Sequence, residues 1–257
     1  MVESKMKCVD VHCYYGKWGF PIPDMSAEDI LACMERTEIE KCIMMSAQGI
    51  QYDFVAGNAE LAEVVGAHDN LFGYVYLNMH YPEQCAAEVE KYLGSDKFVG
   101  VKYNGEYSRA PACADSNDEI FKLIESDYGK PLLLHTWGLP EHGNPVAYSL
   151  PSQTLTLARK FPRLPIIMGH MGGPESASAI EVAAQADNLY LDTCCSYADR
   201  DKVAEAVKVL GAEKIMFGSG MTENNPFMQK AVVLDADITA GEKQMILYDN
   251  AVSLFGI

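Results

Sequence analysis

Eight short apolar runs recur along this chain, each closing on a polar residue, at intervals of roughly 23 to 35 residues, the length of a strand, a loop and a helix. They occupy residues 8–12, 42–46, 74–78, 99–102, 132–135, 166–170, 189–193 and 215–219. The runs are rich in Val, Ile, Leu and Met on both faces. Strands of a parallel sheet read this way when helices cover it.

Amphipathic stretches fill the intervals. Ser26 is placed to cap a helix, with Asp29 at the capping-box position. Further helices are predicted over 58–66, 82–93, 116–127, 152–161, 176–186, 200–210, 225–234 and 240–255. The alternation predicts the α/β class, and its eight repeats predict a (β/α)₈ TIM barrel, a single domain over residues 1–257. A doubly wound open sheet would carry a glycine-rich phosphate loop after its first strand. Here that strand runs into Tyr14-Tyr15-Gly16-Lys17-Trp18-Gly19-Phe20 instead.

Composition narrows the partners. At 49% apolar residues the chain has a core without needing disulfides. Its formal charge of -16 argues against nucleic acid and anionic membranes. No run reaches the ~18 apolar residues of a membrane span, and the opening Val2-Glu3-Ser4-Lys5 has no leader-like apolar stretch. The eight cysteines are scattered and form no Cys-x-x-Cys motif. They are predicted to be buried free thiols of a cytoplasmic protein, and the adjacent Cys194 and Cys195 to be a poor zinc pair. Homo-oligomers are common for such folds, and the outer helices offer a surface for one.

Barrels of this kind carry their chemistry at the C-terminal ends of the strands. Three of the six histidines fall there: His12, His135 and His170. Singly, each reads as a hydrogen-bonded structural residue. Three at one rim need partners or a shared ligand. Asp10 and Tyr14 alternate with His12 and share its face. Lys102 closes the fourth run, where it can hold a carboxylate, polarise a carbonyl or pair with a nearby acid. Asn78 and Ser219 close the third and eighth. Long loops over 14–25, 103–115 and 136–151 bring Trp18, Phe20, Tyr107, Arg109, Trp137, His142 and Tyr148 as wall candidates. Tyr14, Asn78, Lys102, Trp137 and Ser219 are the expected substrate-binding set, suited to a small cyclic acid.

The ordered set Val9-Asp10-Val11-His12, Gly100-Val101-Lys102, Leu133-Leu134-His135, Gly169-His170-Met171-Gly172-Gly173, Met216-Phe217-Gly218-Ser219 and the ending Asn250-Ala251-Val252-Ser253-Leu254-Phe255-Gly256 resembles the amidohydrolase-related family. Its members are metal-dependent TIM-barrel hydrolases and decarboxylases. The resemblance implies a divalent metal, zinc above all, held by His12 and His135, with His170 as the catalytic histidine. Tyr14 stands where the family has a second strand-1 histidine, and Gly220 where it has a strand-8 aspartate. Glu223 and Asp10 lie near enough in sequence to be replacements. A set of His12, His135 and His170 is another arrangement zinc accepts, and a metal-free site of these histidines with Lys102 is a third. The expected function is therefore a hydrolase acting on a small carboxylated cyclic molecule, with decarboxylation or binding without turnover as alternatives.

Overall fold

Because every run is apolar on both faces, each can be buried by the strands beside it and the helices outside it. The computed structural model, which describes residues 6–195 and 201–257, has eight parallel strands in sequential order. They are β1 (Val9–Tyr15), β2 (Lys41–Ser46), β3 (Leu71–Leu77), β4 (Phe98–Tyr103), β5 (Leu132–Leu134), β6 (Ile166–Met168), β7 (Leu189–Asp192) and β8 (Ile215–Met216). The ring closes where Val11 N donates to Phe217 O at 3.0 Å and Gly220 N donates to His12 O at 2.8 Å. The chain is thus a TIM barrel, as its periodicity requires.

The helices follow the sequence pattern with local differences. Ser26 and Asp29 form the capping box that opens the helix Ala27–Thr37. The stretch at 116–127 becomes Asp118–Leu123 and then a wider turn, Ile124–Tyr128, which ends at Gly129. The last helix is likewise interrupted by a wide turn, Met245–Asp249. Two short helices escape the pattern, Ala47–Gln51 and Gly105–Ser108. Both sit in strand-to-helix loops and begin at side-chain caps, Ser46 and Asn104, so polar capping rather than apolar period makes them. Of the helix expected at 200–210, Lys202–Leu210 is formed and residue 200 lies outside the described residues.

No described helix is long and apolar enough to cross a membrane. All eight cysteines are free, and only Cys113 and Cys195 are more than marginally exposed.

Candidate active site

The strand ends bring the expected histidines together. His12 and His170 have ring centroids 4.7 Å apart, and His170 and His135 4.8 Å. Each arrives by a different local device. His12 projects from β1, and the close approach of the strand-8 segment to it depends on Gly218, where a Cβ would lie 2.8 Å from His12 Cβ. His135 follows β5 directly, its N–H still bonded to Tyr103 O at 3.0 Å. His170 sits in a left-handed turn that runs through Met171, Gly172 and Gly173, with φ of 61° at His170 itself. A non-glycine residue held there signals a position fixed by its surroundings. Lys202 Nζ braces the turn, donating to Gly173 O at 3.2 Å.

One carboxylate organises this cluster. Asp192, at the end of β7, accepts from His12 Nδ1 at 2.7 Å, from the His170 backbone N–H at 2.9 Å and from the Cys194 backbone N–H at 3.0 Å. Burial alone would raise its pKa, but His12, Lys102 and the His170 N–H outweigh burial and hold it below the usual carboxylate range. A second carboxylate, Glu141, lies 2.6 Å from His135 Nε2, and His135 Nδ1 lies 3.0 Å from His170 Nε2. Glu141 comes from the loop after β5. Buried Glu106 anchors that loop by accepting from Tyr148 N at 2.6 Å and Asn144 Nδ2 at 2.9 Å.

These bonds assign the imidazole tautomers. Burial pushes His12 down to about 4, against the pull of Asp192, and pushes His170 well below its ordinary value, with His12, His135 and Lys102 adding to the effect. His135 is lowered by burial as well. All three are neutral near pH 7. His12 then donates from Nδ1 to Asp192, which leaves Nε2 a bare lone pair that accepts from the Tyr14 hydroxyl at 3.0 Å. His135 donates from Nε2 to Glu141 and accepts at Nδ1 from His170 Nε2. His170 Nδ1 is left as an acceptor, buried and with no hydrogen-bond partner.

Lys102 is fully buried at the end of β4, and its ammonium has no hydrogen-bond partner among the described residues. Burial lowers its pKa to about 8. It lines a cavity of about 160 Å³ together with His135, His170, Glu141 and Glu223. The aromatic walls are Tyr14, Trp18, Phe20, Tyr107 and Trp137, with His142 packed at a tilt against Tyr107, ring centroids 4.2 Å apart. Burial raises Glu223 to about 7, with Lys102 opposing and Glu141 adding to the rise. Ligand clefts for drug-sized molecules begin near ~300 Å³, so this space suits a single ring.

Several expected residues lie elsewhere. Asn78 does not line the cavity; its Oδ1 accepts from His80 N at 3.2 Å and closes the turn after β3. Ser219 is buried beneath the site, accepting from Met221 N at 2.9 Å. Asp10 is a strut below the cluster, accepting from His12 N and Ser219 N at 3.1 Å and 2.9 Å. Arg109 and Tyr148 are not wall residues. Asp192 and Glu141 were missed by sequence reasoning, although Asp192 is the residue before the closing Thr193 of one of the eight runs and Glu141 lies in a loop marked by its length. Ligand atoms of His12, His170 and Cys194 all lie within 4.8 Å of one another. This group takes Cys194 without Cys195, so the expectation that the adjacent two make a poor zinc pair is untouched by it. His135 is outside that group, and both its ring nitrogens are engaged, by Glu141 and His170.

A closed parallel barrel whose rim joins histidines, acids and a buried lysine over a small aromatic cavity defines a class: TIM-barrel enzymes acting on small molecules. The chain belongs to the amidohydrolase family, whose model, described as Amidohydrolase, matches residues 16–257. That span begins beyond His12 and Tyr14, so the placement of these two rests on the coordinates.

Solved structures extend the likeness in fold. A 2,6-dihydroxybenzoate decarboxylase from Rhizobium is 17% identical, with 98% of this chain and 99% of that chain covered and a TM-score of 0.81. A dihydroxybenzoic acid decarboxylase from Polaromonas sp. JS666, with bound manganese and the inhibitor 2-nitroresorcinol, is 19% identical, covering 98% and 97% with a TM-score of 0.80. A 5-carboxyvanillate decarboxylase from Sphingomonas paucimobilis is 16% identical, covering 98% and 100% with a TM-score of 0.76. No curated protein sequence matches the chain.

Proposed function

We propose that the protein is a decarboxylase, a C–C lyase acting on a small ring-bearing carboxylic acid. The observation that carries this reading is the ammonium of Lys102, buried, without a hydrogen-bond partner among the described residues and lining an aromatic cavity beside the imidazole cluster. A buried ammonium whose N–H groups go unbonded is costly, and a substrate carboxylate would accept from them. The solved neighbours named above are decarboxylases of carboxylated aromatics, which supports decarboxylation over the hydrolysis first expected from the sequence.

The chemistry follows from the groups present. Lys102 holds the acid against the rim, and Trp137, Tyr107 and Trp18 confine its ring. Glu223, raised to about 7, retains a proton near neutral pH and is the proposed donor. The bond from ring carbon to carboxyl breaks, its electron pair stays on the carbon, the proton of Glu223 replaces the carboxyl, and carbon dioxide departs. Glu223 then regains a proton from solvent. The unprotonated nitrogens of His12 and His170, the first now accepting from the Tyr14 hydroxyl, would hold a divalent cation, which when bound would supply Lewis acidity to a substrate oxygen. In this reading the metal is zinc and the partner is the small-molecule substrate. The setting is the cytoplasm, in keeping with the eight free thiols.

Incubation with a panel of hydroxybenzoic and related acids, following carbon dioxide and the ring product, tests the proposal. Release is expected from the wild type and not from Lys102→Met. Hydrolysis of lactones or amides with no carbon dioxide from any acid would return the site to the hydrolase reading. Acids that raise the melting temperature but are never turned over would leave binding alone.

A further inference from the structure

We infer that Cys194 is a metal ligand: with His12 and His170 it forms a two-nitrogen, one-sulfur site selective for a thiophilic cation such as zinc. This inference stands on the rim geometry and does not depend on which reaction the site performs.

Four observations converge on it. Asp192 ties down all three residues, through the ring of His12 and through the backbone of His170 and Cys194. Three donors fixed to one carboxylate form a built cluster, with the hydrogen-bonded second layer that metal-binding histidines use. The two nitrogens are preset as lone pairs, since His12 Nδ1 donates to Asp192 and His170 Nε2 donates into the Glu141–His135 chain; the Tyr14 hydroxyl on His12 Nε2 at 3.0 Å has to turn away for a cation to bind there. His170 Nδ1 is buried with no hydrogen-bond partner among the described residues, a state a ligand would relieve. Finally, Gly220 gives the sulfur its room: a Cβ at 220 would lie 2.9 Å from Cys194 Sγ, and the backbone there is left-handed at φ +70°.

The sulfur determines which cation is preferred. Manganese suits oxygen ligands, whereas thiolate and imidazole together suit zinc. Binding exchanges the thiol proton of Cys194 for the cation and releases that proton to solvent. The donor atoms lie within 4.8 Å of one another and need to close to edges of roughly 3.5 Å in a tetrahedral site. Cys195 Sγ lies 3.7 Å from Cys194 Sγ and is the control for specificity.

The test uses the full chain, stripped with a chelator and titrated with zinc, manganese and cobalt in turn. One cobalt per chain is expected, with a thiolate-to-cobalt charge-transfer band in the near ultraviolet. Cys195→Ser is expected to keep that band. Cys194→Ser is expected to lose it, and to weaken zinc by at least about 10- to 100-fold while weakening manganese less. The inference is overturned by a wild-type cobalt complex without the sulfur band, by a band that follows Cys195, or by unchanged zinc affinity in Cys194→Ser. Should Cys194→Ser fail to fold, the wild-type and Cys195→Ser spectra still decide the matter.

Discussion

The floor and the walls of this site are built on opposite terms. The floor consists of His12, Lys102, His170, Asp192 and Cys194, all buried and set on or just beyond barrel strands. The walls consist of Glu141, Glu223, Tyr107, Trp137 and His142, carried by loops and only partly buried or exposed. Apart from Lys102, floor groups are held by hydrogen bonds made in the absence of water, so a change at one of them leaves an uncompensated polar group. Wall groups can turn toward solvent and adapt. The floor therefore sets the charge state of the site and the walls set what enters it and when a proton moves.

The largest expected effect belongs to one wall residue, and it sharpens the contrast. Glu223→Gln keeps shape and removes the donated proton, so kcat/KM should fall by about 10²- to 10⁴-fold. The wild-type profile is expected to decline as pH rises through about 7, where Glu223 loses its proton, and more steeply beyond about 8, where Lys102 loses its charge. The variant should lack the first decline. A full activity plateau in Glu223→Gln would remove it as the proton source.

Lys102→Met should raise stability. Lys102 has a folded pKa of about 8 against an ordinary 10.5. Between those values the unfolded chain binds more protons, so stability rises with pH across that window. Below about pH 8 the full penalty remains, on the order of 3 kcal/mol at 1.36 kcal/mol per unit. Methionine removes the charge and keeps most of the side-chain volume. Denaturant unfolding at pH 7 should therefore show a gain of that order, and the gain should shrink toward pH 10. A loss of stability would mean that the ammonium already has a partner, and the floor would no longer be a place of stored cost.

How much was legible follows the same division. His12, Lys102, His135 and His170 could be read because strand periodicity alone carries a side chain to the rim. The same rule placed Asn78 in the site, where its own turn captures it through His80 N. Asp192 precedes the Thr193 that closes its run, and nothing in β7 marks it as the point where three elements meet. Cys194 was set aside for its neighbour Cys195, yet its relevant partners are 182 and 24 positions away in sequence, His12 and His170. Glu141 and Glu223 lie in loops, which have no period to read. The fold depends on pattern, whereas this cluster depends on which strands become neighbours when the barrel closes.

The most direct comparison of floor with wall sets Asp192→Asn beside Glu141→Gln, two carboxylates that each hold one histidine. The Asp192 side chain is 0% exposed and bonded three times, whereas that of Glu141 is 23% exposed and faces His135 from a loop. An amide at 192 cannot accept from three N–H groups as the carboxylate does, and turning its NH₂ toward His12 would move the imidazole proton to Nε2 and cancel the lone pair there. Zinc affinity should fall by about 10- to 100-fold. An amide at 141 can rotate its oxygen to His135 Nε2, so the tautomer chain through His135 and His170 survives and the loss should be far smaller. Competition titration against a chromophoric chelator measures both. Equal losses would show that the loop carboxylate is as fixed as the strand carboxylate, and the distinction between floor and wall would then describe position in the fold without describing energy.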